Sequence, residues 1–446
     1  MQISRLSDRI TTSALLVWGG ALVVFTIWLQ WWWAGTSMDI DVYWEAGQRM
    51  LNGGANLYGE PEDPANAVGI FIYPPLFAAL YAPITLLPRW LGYALWGMLE
   101  LGFIVAGLHF TRKLCGVEPG SKGRFFYLLM TAGLIGAIWT NLQEGQVNML
   151  VVSALAGGLW QLERKQHVRG GLLLAVATHL KVIPIVLLPL LIAQKRFKAA
   201  AFMAGGVVLL WFTPLLFSIP NYGFSEGIAA NTQLTTEYVD HVVSPRLSKQ
   251  SAFSLGGSRA PNNSMTAVMR RWFSDGSKLS LNRGDRSPLW FEAPEPVYKW
   301  TGLGVGAILG GLAMLLAWRR RDDLIARSAA IGLGVTAAAL ANLLFWPHHM
   351  CLLLLVLGPL AAAGIRDQKM TSMFAAVFGM MALCYLPLLD RVPVFDWMAV
   401  VGTPTLGVLA VWVLVFIHFW RRSVAPAVEA PILRAHAETE TRNPVA

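Results

Sequence analysis

Charge is what this chain has least of. Only 14% of its 446 residues are Asp, Glu, Lys or Arg, while 55% are hydrophobic; about 25% charged is usual for a soluble domain. A soluble enzyme of this length is thereby excluded. Cysteine is nearly absent as well. Cys115, Cys351 and Cys384 lie in or beside apolar segments, with no metal-ligand spacing and no paired framework. Neither a disulfide scaffold nor a thiolate metal centre is expected. No small-residue cleavage site follows the apolar run 11–33, although Arg5 and Arg9 precede it. That run reads as a retained first helix rather than a signal peptide. No obvious repeat relates the two halves, as the paired broken helices of many secondary transporters would. What charge there is leans basic, at +9. Most of the excess falls in short loops between apolar runs, so anionic lipid accounts for it and no nucleic-acid partner is expected.

What is abundant is apolar sequence of membrane length. Twelve helices are expected, at 12–34, 90–111, 125–140, 146–162, 168–180, 182–194, 199–217, 298–318, 324–345, 350–365, 370–388 and 396–420. Trp31, Trp32, Trp33, Trp90, Trp139, Trp318 and Trp420 sit near their ends, as an interfacial aromatic belt does. Lys and Arg recur at 112–124, 164–169, 195–198, 319–321, 366–369 and 421–422. The positive-inside rule places those loops, with both termini, in the cytoplasm. The opposite loops then hold Asp39, Asp41, Tyr73, Gln143 to Asn148, Lys181, a long segment 218–297, and His348 with His349. The expectation is an all-α, polytopic integral membrane protein. Its membrane domain covers 1–424, with outer loops at 35–89 and 218–297, and a disordered cytoplasmic tail covers 425–446. Polar groups gathered at one membrane face, rather than spread through the midplane, favour an enzyme over a carrier.

Two local features shape that face. Segment 70–88 is apolar enough to insert, but Pro74, Pro75, Pro83 and Pro88 interrupt it. If it spanned, every later basic loop would land outside, so it is read as a juxtamembrane or re-entrant piece whose freed backbone needs protein or water cover. Helices 168–180 and 182–194 reach only about 20 Å each at roughly 1.5 Å per residue, short of a hydrocarbon core of about 30 Å. Lys181 joins their tips and leaves a hollow suited to a lipid phosphate. The long segment 218–297 reads as a lid or acceptor-binding loop.

Several stretches resemble glycosyltransferase family 87. They are Asp39-Ile40-Asp41-Val42-Tyr43-Trp44-Glu45 with Asn52-Gly53-Gly54, Phe71-Ile72-Tyr73-Pro74-Pro75-Leu76, Gly145-Gln146-Val147-Asn148, Lys181-Val182-Ile183-Pro184, Asn263-Ser264 and Trp346-Pro347-His348-His349. The resemblance runs in order from about 38 to 350. It implies a GT-C-type membrane enzyme. Such an enzyme transfers a hexosyl unit, mannosyl first among the options, from a polyprenyl-phosphate donor to a lipid or glycan acceptor hydroxyl. Transfer would invert the anomeric carbon on the periplasmic face of a bacterial cytoplasmic membrane. No cofactor is expected. The rival readings are a twelve-helix secondary transporter and a lipid-linked glycan polymerase or ligase.

An inverting transfer needs a base beside the acceptor hydroxyl. Asp39 is the expected base, on its place in the resemblance. Asp41 is a second candidate, for substrate binding; either aspartate could instead cap a short helix at 42–52. The Asp-x-Asp spacing also allows a metal. Cations of the protein suffice for a monophosphate leaving group, however, so none is assigned. Lys181 has apolar neighbours and no nearby acidic residue in sequence. It reads as the phosphate contact, against a snorkelling interfacial lysine. One of His348 and His349 is expected to orient Asp39 or meet the phosphate; the other reading is an interfacial pair with no role. Gln143, Gln146 and Asn148 suit sugar hydroxyls, or else helix contacts. Tyr73, Asn263 and Arg270 complete the expected substrate contacts. For each a structural reading stands beside: a bent loop, an ordered loop and a solvated cation.

Overall fold

The computed structural model describes residues 39–59, 71–244, 262–273, 291–367 and 398–422, with parts of 12–28 and 377–381. Every regular element among these is helical. Seven helices are long and apolar enough to cross a membrane: Arg89–Leu114, Ser121–Gln143, Phe197–Tyr222, Pro296–Arg319, Leu324–Ala341, Pro347–Asp367 and Thr403–Arg421. The expected helix 370–388 and the tail 425–446 lie wholly or mostly outside the described residues, as do much of 12–34 and parts of 218–297.

The polar end is built by α1 (Asp39–Leu51), α2 (Pro75–Tyr81), α3 (Arg89–Leu114), α4 (Ser121–Gln143), α5 (Asn148–Glu163) and α6 (His167–Leu180). The expected boundary of α1 moves. The helix already includes Asp39 rather than starting at 42, so both aspartates are helical. Two residues on a helix are about 200° apart at 3.6 residues per turn, so the two carboxylates face opposite sides. Segment 70–88 forms α2 and a 3-10 turn, Ala82–Leu86. Pro75 and Pro83 take positions where a missing N–H costs nothing. As a unit this piece reaches under about 20 Å.

Proline also explains three further departures from the expected spans. The expected helix 182–194 is a 3-10 turn, Ile183–Val186, with Pro184 in its first turn, followed by the short α7 (Leu187–Ala193). The run expected at 199–217 is α8 (Phe197–Leu210), a break at Pro214 and α9 (Leu215–Tyr222). The expected helix 324–345 is α13 (Leu324–Ala341), which stops where Asn342 turns extended. The residue before a proline avoids the helical region, and Trp346 accordingly sits at φ −80°, ψ 163°. The chain turns helical again as a 3-10 turn, Pro347–Leu353, running into α14 (Leu354–Asp367). The two histidines therefore open a buried helix and do not sit in a loop.

Much of the described part of the segment expected to be a lid or acceptor-binding loop is helical. α10 (Phe224–Tyr238) and α11 (Met265–Phe273) lie within it. α11 packs against α12 (Glu295–Arg319). Its Arg271 is fully buried and gives its guanidinium to the carbonyls of Val400 (2.8 Å) and Asn262 (2.9 Å).

Small residues let the bundle close, as between membrane helices generally. A Cβ on Gly158 of α5 would meet Leu174 at 2.9 Å and the Gly170 carbonyl at 3.1 Å, both on α6. The far end of the bundle is basic and knitted together. Glu163 holds Arg196 at 2.6 Å and also pairs with Arg327. Arg320 donates to the Phe419 carbonyl at 3.0 Å, and Arg422 meets Asp367 at 3.2 Å. Asn148 and Glu163 are the two ends of α5, about 24 Å apart at 1.5 Å per residue. The amide-rich cluster and the arginine-rich cluster thus occupy opposite ends of the same helices.

Candidate active site

The site centres on the turn between α4 and α5. Gly145 makes that turn with φ +64°, and a Cβ there would meet the Ile40 Cβ at 2.9 Å. Glycine therefore serves both the left-handed backbone and the close approach of α1. The indole of Trp96 on α3 pins the turn by donating to the Gly145 carbonyl at 2.9 Å. Gln146 follows, 3% exposed, and its amide does two things. Its Nε2 donates to the Asp39 carboxylate, and its Oε1 accepts from the Tyr73 hydroxyl at 3.3 Å. Tyr73 is steadied in turn by the Tyr43 hydroxyl at 3.0 Å and by Tyr58, which donates to its carbonyl at 3.0 Å.

Lys181 enters from the other side. It sits in extended conformation between α6 and the following 3-10 turn, and its Nζ donates to the Asn148 Oδ1 at 2.6 Å. The ammonium lies 5.9 Å from the Tyr73 ring centroid. Its charge reaches Asp39 and both imidazoles of the 347–353 turn. The structure thus brings Asp39, Tyr73, Gln146, Asn148, Lys181, His348 and His349 to one place. Asp39 and Lys181 both keep part of their surface open, so the cluster is accessible at its acid and at its cation.

Burial pushes the Asp39 carboxyl above its ordinary range, opposed by the Gln146 hydrogen bond and by the Lys181 charge. Glu144 lies beside it, and burial, with the Asp39 charge adding, pushes its carboxyl up to about 7. A base whose proton affinity is raised takes a proton more readily at neutral pH. It must still be ionised to act. The acid limb of the pH profile of kcat/KM is therefore expected above the free aspartate value of about 3.9. Measurement of that limb checks the assignment, and a limb near the free value would refute it.

Residues 71–347 match the model of glycosyltransferase family 87. The chain belongs to that family. It is a membrane glycosyltransferase. The match takes in Tyr73, Gln146, Asn148 and Lys181 of the candidate site, and Asp39 and the two histidines lie outside it. A curated protein of Mycobacterium tuberculosis (strain CDC 1551 / Oshkosh) is 29% identical over 176 residues. It is the polyprenol-phosphate-mannose-dependent alpha-(1-2)-phosphatidylinositol pentamannoside mannosyltransferase. The match covers 37% of this chain and 38% of that protein, so the chain is matched over well under half of the relative's length. No solved structure matches.

For this family 87 chain, Asp41 and Asn263 take partners other than the cluster. Asp41 is buried against Arg89 and Tyr93, whose own side chains meet at 2.7 Å. It clamps α1 to α3, and it forms no Asp-x-Asp pair with Asp39 because the helix turns it away. Asn263 binds through its backbone, with its N–H on the Phe345 carbonyl at 2.7 Å and its carbonyl taking the Thr405 hydroxyl at 2.9 Å. Neighbouring Asn262 and Ser264 also hold the 343–345 backbone. This motif therefore props up the segment leading to the histidines. Gln143 and Arg270 are partly exposed, on the last turns of α4 and α11. Glu144 belongs to the polar knot at 143–148 that the sequence shows, whereas nothing in the sequence marks Asn141, which lies on α4 one turn before the Gly145-Gln146-Val147-Asn148 element.

The geometry also separates the histidines. His349 is fixed: the Trp346 amide donates to its Nδ1 at 3.2 Å, and the Leu344 backbone holds it too. His348 stands edge-on to it, with ring centroids 4.6 Å apart. His349→Ala is expected to lower the melting temperature by several degrees, since it leaves a backbone donor unmade, about 1–3 kcal/mol. His348→Ala is expected to spare stability and lower kcat/KM about tenfold or more. Thermal melts and steady-state kinetics of the two variants check this, and the reverse pattern would exchange the roles.

Proposed function

We propose that this glycosyltransferase moves a hexosyl unit, mannosyl foremost, from a polyprenyl-phosphate donor to a hydroxyl of a lipid or glycan acceptor, inverting the anomeric carbon. One observation carries the reading: a carboxylate and an ammonium, Asp39 and Lys181, are oriented by neighbouring amides of one turn, Gln146 and Asn148. The acceptor hydroxyl gives its proton to Asp39 as its oxygen bonds to the anomeric carbon. The bond from that carbon to the phosphate oxygen breaks, and the lipid monophosphate leaves with both electrons. Its charge grows by one in the step, and Lys181, with His348 beside it, stabilises the increase. Tyr73, Gln146 and Asn148 are the sugar and phosphate contacts. The mannosyl preference takes support from the similarity to the mycobacterial mannosyltransferase.

The expected topology belongs to the same proposal. Twelve spans would put the arginine-rich end in the cytoplasm and the Asp39 end on the periplasmic face. Donor and acceptor lipids would then reach the site laterally from the outer leaflet. The test is a choice of donors. Purified protein with membrane lipids as acceptors is given polyprenyl-phosphate-mannose, a polyprenyl-diphosphate oligosaccharide or a mannose nucleotide. Transfer from the first alone is expected. Transfer from either of the others, with none from the first, would replace the reading by a glycan polymerase or a nucleotide-sugar enzyme.

A further inference from the structure

Glu100 lies near the middle of α3, a membrane-length helix, and is 1% exposed. Among the described residues it has no cationic partner, and its Oε2 makes no hydrogen bond. A carboxyl at such depth is costly and is retained where it does something. Its one bond is to Asn141, whose Nδ2 donates to Glu100 Oε1 at 2.8 Å. The second Nδ2 hydrogen of Asn141 goes to the Gln146 carbonyl, also at 2.8 Å. Asn141 then has only its Oδ1 left to offer, and the Asn148 Nδ2 donates to it at 3.0 Å. That leaves the Asn148 Oδ1 to face Lys181, at 2.6 Å.

We propose that Glu100 is a positioning residue: through Asn141 it fixes which way the Asn148 amide points, and so holds the Lys181 ammonium at the donor phosphate. This rests on the reading of Lys181 under Proposed function. The logic is one of polarity. An ammonium only donates, while an amide side chain has two faces that differ in donor and acceptor. Two amides in series between Lys181 and α3 could run in either direction. Asn148 must turn its oxygen to Lys181, so Asn141 must turn its oxygen to Asn148. The Asn141 amino group, fully buried, then needs two acceptors. One is the Gln146 carbonyl and the other is Glu100. Without an acceptor at Glu100, Asn141 keeps a buried donor unmade, and the reversed amide becomes competitive.

A bond that merely tied α3 to α4 would predict the same contacts but not the same coupling. The test measures the dissociation constant of a short-chain polyprenyl monophosphate for the full chain in detergent. Glu100→Met is expected to weaken binding about tenfold, the size of one buried donor left unmade. In a Lys181→Met background the same change is expected to matter by less than about twofold, because independent effects would add. Glu100→Gln, which restores an accepting oxygen at the same reach, is expected to rescue binding. Unchanged binding in Glu100→Met, an equal loss in both backgrounds, or a Glu100→Gln loss as large as that of Glu100→Met overturns the proposal alone. A Lys181→Met protein that binds like the unaltered chain overturns both this and the role given to Lys181. If Glu100→Met does not fold, Asn141→Ser enters the same comparison with the same expected coupling.

Discussion

Asp39→Asn is expected to lower kcat about a thousandfold, within the 10²–10⁴ range that a positioned base contributes, with donor KM little changed. The substitution is conservative in space. An asparagine oxygen can still accept from the Gln146 amide, so the turn at Gly145 and the seat of α1 should survive. Only the capacity to take a proton is lost. Asp41→Asn is the matching control. Asp41 holds Arg89, whose side chain is 57% exposed, and an ion pair open to solvent on one side contributes about 1 kcal/mol or less. Its loss should appear in the melting temperature and leave kcat within about threefold. Radiolabelled sugar transfer by both purified variants, with melting curves beside it, makes the comparison. Near-normal turnover in Asp39→Asn, or a greater kinetic loss in Asp41→Asn, would remove Asp39 as the base.

Much of this site is legible in the sequence. The polar residues that alternate with apolar runs at 39, 73, 146–148, 181 and 348–349 do meet, because an amide or charge beside an apolar run has few places to go other than a helix end. Short helices around Lys181 were legible from length alone. What was not legible was orientation. The two aspartates stand two residues apart, and nothing in the sequence says that both already lie on the helix. The histidines fall between the helices expected at 324–345 and 350–365, but Pro347 starts a 3-10 turn that buries them. Asn263 stands in the resemblance as a residue type, whereas its backbone N–H and carbonyl hold Phe345 and Thr405, and backbone partners leave no trace in residue type. The Asn141–Glu100 link was invisible for a different reason. A single glutamate in an apolar helix can face lipid headgroups, another helix or a cavity, and only the packing of α3 on α4 and α5 decides.

Lys181→Met is expected to lower kcat/KM for the donor by about 10²–10³, the loss seen when one preorganised electrostatic contact to a developing charge is removed. Most of the loss should fall in kcat. The donor phosphodiester carries one negative charge and the departing monophosphate carries two, so the ammonium matters more as the bond breaks than when the donor binds. A snorkelling lysine would give neither effect, since methionine covers the same apolar surface. Stability should change little, because the ammonium makes its hydrogen bond to Asn148 at a partly open site. A second consequence ties the cation to the base. The Lys181 charge favours the ionised form of Asp39 and so partly offsets the effect of burial. Removing it raises the proton affinity of Asp39 further, and the acid limb of the pH profile moves to higher pH. Loss of rate with an unmoved limb would mean that Lys181 serves the phosphate while some other group takes the proton. A shifted limb together with the lowered rate is the result expected if one cation both steadies the leaving phosphate and keeps Asp39 ready to accept.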